Sequence, residues 1–302
     1  MALHKDNSQY KILIENFSGE LHFDELHRAI YATDASAYRM LPEAVALPKT
    51  ISDIKSLINF ANKNKTTLIP RAAGTSLAGQ CVGNGIVVDV SKYFNKILDF
   101  NKEEKTIKVQ PGVIRDGLNE FLKPHGLFFG PNTSTSNRCM IGGMVGNNSS
   151  GTTSIKYGVT RDKVLTLNAI LSDGSEVEFG ALSKDEFQEK LKQNNLEGDI
   201  YKMLFNEFSN EDTRNEIIKE FPKPNIHRRN TGYALDALID SEIFGSSNKP
   251  INISKLLCGS EGTLAFTTEI TLKLDDLPPK NSVLIAAHFT SINESLKAVV
   301  VP

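Results

Sequence analysis

Between residues 44 and 90 the chain can be built in few ways. The apolar run Ala44-Val45-Ala46-Leu47, closed by Pro48, reads as a strand. The residues that follow, TISDIKSLINFANKNK, set Ile51, Ile54, Leu57, Ile58 and Ala61 at helical spacing behind a Thr50 or Ser52 cap. TTLIP and IVVDV are then two further strands, separated by the small-residue loop RAAGTSLAGQCVGNG. Strand, helix, strand, loop and strand in roughly 50 residues make one α/β unit.

The pattern changes near residue 95. KILDFNKEEKTIKVQPG reads as two strands joined by a charged turn. VIRDGLNEFLKPHG reads as a helix with His125 in its last turn and Gly126 as its stop. VLTLNAILSDGSEVEFG and LLCGSEGTLAFTTEITLKL are β-rich, with Asp173-Gly174 as a hairpin signal. Residues 182–240 are polar and helical apart from a loop at KPNIHRRNTG, and residues 21–33 suggest a short amphipathic helix. The ending SVLIAAHFTSINESLKAVVVP begins a strand and a helix and then stops, as if cut. The fold class expected is α+β.

Charge narrows the partners. Lys and Arg number 34 against 36 Asp and Glu, a formal balance of -2, which gives no reason to expect nucleic acid or an anionic membrane. An anionic ligand must then be held by local geometry. Cys81, Cys139 and Cys258 are far apart and form no CxxC or Cys/His cluster, so no zinc or self-contained iron–sulfur site is expected. They read as reduced thiols of a cytoplasmic protein. The N-terminus has no apolar signal region, and no stretch reaches membrane-spanning length.

Three segments carry chemistry. The loop from Arg71 to Gln80 lies between two strands, and its small residues let backbone approach a ligand while successive N–H groups form an anion nest. Thr75 and Ser76 add hydroxyl donors. A plain tight turn has the same composition. The second segment, GPNTSTSNRCMIGGMVGNNSSG from Gly130 to Gly151, holds five glycines, many short polar side chains and one charge, Arg138. It buries Met140, Ile141, Met144 and Val145 in its middle, which favours a binding site for a heteroaromatic ligand over a linker. In the third, Gly259-Ser260-Glu261-Gly262-Thr263, Glu261 either braces a turn or accepts hydrogen bonds from a ligand. Neither GxGxxG opening a helix nor GxxxxGK[ST] occurs, which argues against an NAD-type Rossmann site and a P-loop.

Taken in order, PRAAGTSLAGQ, the Gly130–Gly151 segment, YGVTRD, NTGYALD and GSEGTLAFTTE closely resemble the FAD-linked oxidase family over residues 20–275. That family has the fold shared with vanillyl-alcohol oxidase and para-cresol methylhydroxylase, and the nearest branch is that of the D-lactate and glycolate dehydrogenases. The resemblance implies a PCMH-type FAD-binding domain of two α+β subdomains with FAD between them. By that reading residues 1–38 are a helical lead-in, 39–275 the FAD-binding domain (subdomains 39–95 and 96–275), and 276–302 the start of a truncated substrate or cap domain.

The same resemblance implies that Arg71, Ala72, Ala73, Gly74, Thr75, Ser76, Gly79 and Gln80 wrap the FAD pyrophosphate. Pro131, Thr135, Gly142, Gly143, Asn147, Asn148 and Gly151 then line the ribityl chain and isoalloxazine, and Glu261, Gly262 and Phe266 lie near the cofactor. Relatives often carry Gly-Gly where this chain has Ala72-Ala73, so those two residues must adopt negative φ. Relatives with covalent flavin place a His where Thr75 or Ser76 stands. A packed Cys139 thiol is a poor alternative handle, so noncovalent FAD is expected.

The implied activity is hydride transfer from a small D-2-hydroxy acid, such as D-lactate or glycolate, to flavin N5. An alcohol or sugar oxidase and a flavin-binding electron relay are the alternatives. The electron acceptor is unknown, and an iron–sulfur cluster is possible only in a longer parent chain. No catalytic residue can be assigned. Among the six histidines, His22 and His27 lack the i,i+4 spacing of a metal pair, His125 ends a helix, and His227 stands alone in a polar loop beside Arg228 and Arg229, a conceivable carboxylate clamp.

Overall fold

The computed structural model of the chain describes residues 10–223, 225–226, 229, 232–245, 247–281 and 283–299. Its first sheet contains β1 (Glu20–His22), β2 (Ala44–Leu47), β3 (Leu68–Arg71) and β4 (Ile86–Asp89) in the order β1-β2-β4-β3. β2 and β3 both run parallel to β4, and β1 adds antiparallel to β2. All residues of β2 and β4 are buried, as continuous apolar runs in a parallel sheet require. β3 is an edge strand, which is where Pro70, lacking an N–H, can sit.

The crossover from β2 to β3 is the helix Ile51–Asn64, started by a reciprocal Thr50/Asp53 capping box. Asp53 is buried, and burial alone would raise its pKa. Donors from Ser18, Lys49 and Thr50 outweigh that and hold the carboxyl below its usual range. One side chain thus fixes both the helix start and the segment leading into β1.

The second sheet is antiparallel. β5 (Ile97–Asn101), β6 (Thr106–Val109), β8 (Val164–Ile170), β9 (Glu176–Phe179) and β12 (Phe266–Lys273) lie in the order β5-β6-β12-β8-β9. The short strands β7 (Leu127–Phe128) and β13 (Asp275–Asp276) pair with each other, as do β10 (Ala181–Leu182) and β11 (Ile251–Asn252). In β12 buried and half-buried residues alternate, so one face meets the core. Helices Lys184–Leu191, Leu196–Ser209 and Glu211–Glu220 contribute Phe187, Tyr201, Leu204, Phe208 and Ile217 to that core. A separate core serves the first sheet, and Ile170 and Phe266 belong to it, so β8 and β12 reach across to the first unit.

Three expectations change. The lead-in is not purely helical: Glu20–His22 pair with Leu47, Ala46 and Val45, because β2 would otherwise present an open edge. The helix expected over 21–33 shrinks to Glu25–Ile30, capped by the Asp24 side chain. At 283–289 no strand forms among the described residues, since no neighbouring strand is there to pair with. Leu284 is 97% exposed, and the helix Ile292–Ala298 buries none of its residues. No helix among the described residues is long and apolar enough to cross a membrane.

Candidate functional site

The loop that follows β3 leaves the sheet at the C-terminal ends of parallel strands, where open α/β sheets place their ligands. Its turn is set by Gly74 at φ 65 and Gly79 at φ 73, while Ala72 and Ala73 stay out of the left-handed region, as their Cβ atoms demand. Among the described residues, the amides of Ala73, Gly74, Thr75, Ser76 and Leu77 donate no hydrogen bond. Five successive backbone donors are thus unspent, four of them on half-buried residues, the raw material of a backbone anion nest. The Ser76 hydroxyl accepts from the Ala78 amide at 3.1 Å and donates to Gln80 Oε1 at 2.7 Å, which fixes the loop's far side.

The Arg71 side chain is spent on holding the loop. Its Nη1 donates to the carbonyls of Thr33, at 2.8 Å, and Tyr31, at 3.4 Å, and its guanidinium lies 5.1 Å from the Tyr31 ring centre. The Tyr31 hydroxyl donates to buried Asp89 at 2.5 Å, and burial raises its pKa further above the ordinary phenol value.

The second segment meets the first. The short helix Ile141–Gly146 brings Gly143 to the loop, where an added Cβ would touch Ala72 Cβ at 3.5 Å. Gln80 Nε2 donates to Asn147 Oδ1 at 3.1 Å. Gly142 is closed in from behind, since a Cβ there would lie 2.4 Å from Pro111 Cβ. The third segment joins both. The amides of Gly259 and Glu261 donate to the carbonyls of Val145 and Gly146, and a Cβ on Gly262 would touch Pro70 at 3.1 Å. Glu261 itself takes φ 56, between Gly259 at φ 98 and Gly262 at φ 78. A left-handed glutamate costs on the order of 1–2 kcal/mol, and its carboxylate makes no hydrogen bond among the described residues.

Together the three segments wall a cleft of about 990 Å³, at the upper end of the usual range for ligand sites. Arg71, Ala72, Ala73, Gly74, Thr75, Ser76, Gln80, Thr135, Gly142, Gly143, Asn147, Glu261, Gly262 and Phe266 all stand on its wall.

Four expected residues do not, and each has a structural role behind the wall. Gly79 faces Tyr38, and the Pro131 carbonyl accepts from Arg115 Nε. Asn148 is buried at φ 47, its Oδ1 accepting from the Arg161 amide. Gly151 lies where a Cβ would come within 2.0 Å of the Asn132 carbonyl oxygen. The wall also includes Ile30, Thr33, Asp34 and Ala35 from the lead-in, which no local sequence signal marks.

The charges on the wall nearly cancel: Arg71 and Arg138 stand against Asp34 and Glu261 among the described residues. Arg138 is exposed and its guanidinium donates only to neighbouring Asn137 Oδ1. Burial pushes the Cys81 thiol up to about 11 and raises Cys139 as well.

YGVTRD works as a brace. Buried Arg161 donates to the carbonyls of Lys255, Cys258 and Gly232, and its amide holds Asn148, so it ties the third segment to the second. The Asp162 carboxylate accepts from the Val159 amide. Tyr233 bonds Thr263 at 2.7 Å and Arg229 pairs with Asp236, so Arg229 is not a free clamp. His227 and Arg228, with Asn230 and Thr231 of the NTGYALD stretch, lie outside the described residues.

Residues 42–180 match the model of a family described as FAD binding domain. Over 288 residues the chain is 36% identical to D-2-hydroxyglutarate dehydrogenase of Haemophilus influenzae, covering 94% of this chain and 27% of that protein. It is 35% identical over 173 residues to the glycolate oxidase subunit GlcD of Bacillus subtilis, covering 56% of this chain and 37% of that one. Among solved structures, alkyldihydroxyacetonephosphate synthase shares the fold, with a TM-score of 0.61, 18% identity and coverage of 91% of this chain and 41% of the other. The family match defines residues 42–180 as an FAD binding domain. Over most of its length the chain is similar to FAD-linked dehydrogenases of D-2-hydroxy acids, and it spans about a quarter of the length of the D-2-hydroxyglutarate dehydrogenases of Haemophilus influenzae, Pseudomonas putida and Escherichia coli.

Proposed function

We propose that this chain is the flavin-binding part of an enzyme that oxidises a D-2-hydroxy acid, with FAD held noncovalently in the cleft. The observation that carries the proposal is the row of unspent amides from Ala73 to Leu77, residues that line a cleft whose side-chain charges cancel. A diphosphate needs several converging donors, and here the backbone supplies them. The other wall residues named above then enclose the rest of the dinucleotide. Bound FAD would supply a hydride acceptor. This chain's part is to hold it, exclude water through Met144 and Val145, and offer the Glu261 carboxylate as an acceptor at the cleft wall.

Two features favour a dissociable cofactor. The lining includes no histidine among the described residues, and its two thiols, Cys81 and Cys139, are held protonated by burial. The names of the relatives point to D-2-hydroxyglutarate, glycolate and D-lactate as the substrate class. We take 39–275 as the FAD-binding domain, with 39–95 and 96–275 as its halves, supported by the two separate cores. We take 276–302 as the start of a substrate-side domain, supported by its exposed apolar side chains. Three unpaired, buried cysteines favour the cytoplasm.

The purified chain should be yellow, and acid precipitation should carry the colour into the supernatant. A yellow pellet under a colourless supernatant contradicts noncovalent binding. Anaerobic bleaching by D-lactate, glycolate or D-2-hydroxyglutarate, in protein extended to the relatives' length, tests the substrate class. Flavin that none of the three reduces contradicts it.

A further inference from the structure

His22, Asp24 and His27 come together although their spacing in sequence is not that of a helical metal pair. His22 sits on β1 and His27 in the helix Glu25–Ile30, and the turn between them lays one imidazole on the other. Their ring centres are 3.7 Å apart with 6° between the planes. Asp24 Oδ1 and Oδ2 lie 2.9 and 2.8 Å from His27 Nδ1, and Glu20 Oε2 lies 3.4 Å from His22 Nε2. One ligand atom from each of His22, Asp24 and His27 falls within 4.8 Å of the other two.

We propose that His22, Asp24 and His27, none of which lines the cleft, form a binding site for a divalent transition-metal ion of the zinc class. Two imidazoles and one carboxylate are a donor set that such ions take, with an open position for water. In a tetrahedral sphere, ligand atoms stand roughly 3.3 Å apart for metal–ligand bonds of about 2.05 Å. Closing from 4.8 Å is within reach of small side-chain rotations, because all three side chains are partly exposed. The parallel rings already bring their edges side by side. Asp24 can ligate through one oxygen while Oδ1 keeps the His27 amide, at 3.1 Å, as the helix cap.

An outer shell is also present. Glu20 holds His22 and is itself held by Lys92 at 2.6 Å and by the Tyr93 hydroxyl, the arrangement that orients a ligating histidine. The ion's role follows from where the helix leads. The chain runs from His27 directly to Tyr31 and Thr33, whose carbonyls hold Arg71. A metal here clamps β1 to the helix and steadies the segment behind the anion loop.

The test is a Zn²⁺ titration of the chelator-stripped chain by calorimetry, with a thermal melt at each ratio. One equivalent should bind and raise the melting temperature. His27→Gln and His22→Ala should each weaken binding at least ten-fold, Glu20→Gln should weaken it about 10- to 100-fold, and His125→Ala should leave it unchanged. Circular dichroism of each zinc-free variant separates lost binding from lost fold, and the exposed His27→Gln serves if His22→Ala misfolds. Absence of Zn²⁺ binding, or equal stoichiometry and affinity in His27→Gln and the parent chain, overturns the site.

Discussion

The two glycine-rich stretches that wall the cleft have similar compositions and opposite economies of hydrogen bonding. From Ala73 to Leu77 the backbone donors are unspent, and the loop is shaped by two left-handed glycines, Gly74 and Gly79, and by Arg71 gripping the carbonyls of Tyr31 and Thr33. From Gly130 to Gly151 the polar groups are largely consumed within the protein. Asn132 Oδ1 accepts from Thr153, Asn148 serves Arg161, Ser149 N bonds the Met144 carbonyl, and Gly142 and Gly151 exist to let Pro111 and Asn132 approach. The first stretch keeps its donors unspent, as the proposed diphosphate site requires, and the second spends its own on holding a surface in place. Small polar residues therefore signal two different things, and only the accounting of donors tells them apart.

That contrast can be broken by substitution. The largest effect is expected at Gly151→Val. A Cβ there meets a backbone oxygen that cannot move aside, so the variant should lose at least about 4 kcal/mol of stability or fail to fold, read by urea denaturation. A parent-like midpoint would mean the second segment is as loose as a linker.

Asp53→Asn comes next, at about 2 kcal/mol, through lost hydrogen bonds to a charged acceptor. Because the folded carboxyl lies below its ordinary pKa, its contribution is full above the unfolded value. It is lost as the pH falls below about 4. Acid should therefore weaken the parent chain more than the Asn variant, as their melting curves between neutral and acidic pH will show.

Gly74→Val should leave the second unit folded. Valine at φ 65, with its Cβ 2.6 Å from the movable Arg71 guanidinium, should cut FAD retention ten-fold or more, about 1.4 kcal/mol. Flavin content equal to the parent's removes the loop from the site. Smallest is Gln80→Ala, which cuts the link to Asn147 and should weaken FAD about three-fold, roughly 0.6 kcal/mol, by equilibrium titration. A ten-fold loss there would mean that Gln80 contacts the cofactor itself.

Much of this was legible in the residues. Short apolar runs and helix spacing with its cap gave β2, the Ile51–Asn64 helix, β3 and β4, and the Asp173-Gly174 hairpin joins β8 to β9. The conformation of the loop after β3 was legible in part: Ala72 and Ala73 stay out of the left-handed region, as their Cβ atoms require. What was not legible depends on contacts distant in sequence. β1 is three residues long and exists because β2 has a free edge. Thr33 and Asp34 reach the cleft because Arg71 anchors their segment. Asn148 and Gly151 carry the family's composition, yet their partners Arg161 and Asn132 draw them behind the wall. His22 and His27 were set aside on helical spacing, and a strand-to-helix turn joins them instead.

The most direct measurement is hydrogen–deuterium exchange of the flavin-stripped chain with and without added FAD, followed on peptides covering 71–80 and 141–151. If the backbone of Ala73–Leu77 grips the diphosphate, FAD should slow exchange in the first peptide at least ten-fold and change the second much less. Equal exchange in the first peptide with and without FAD, while the protein is demonstrably yellow, would contradict the account.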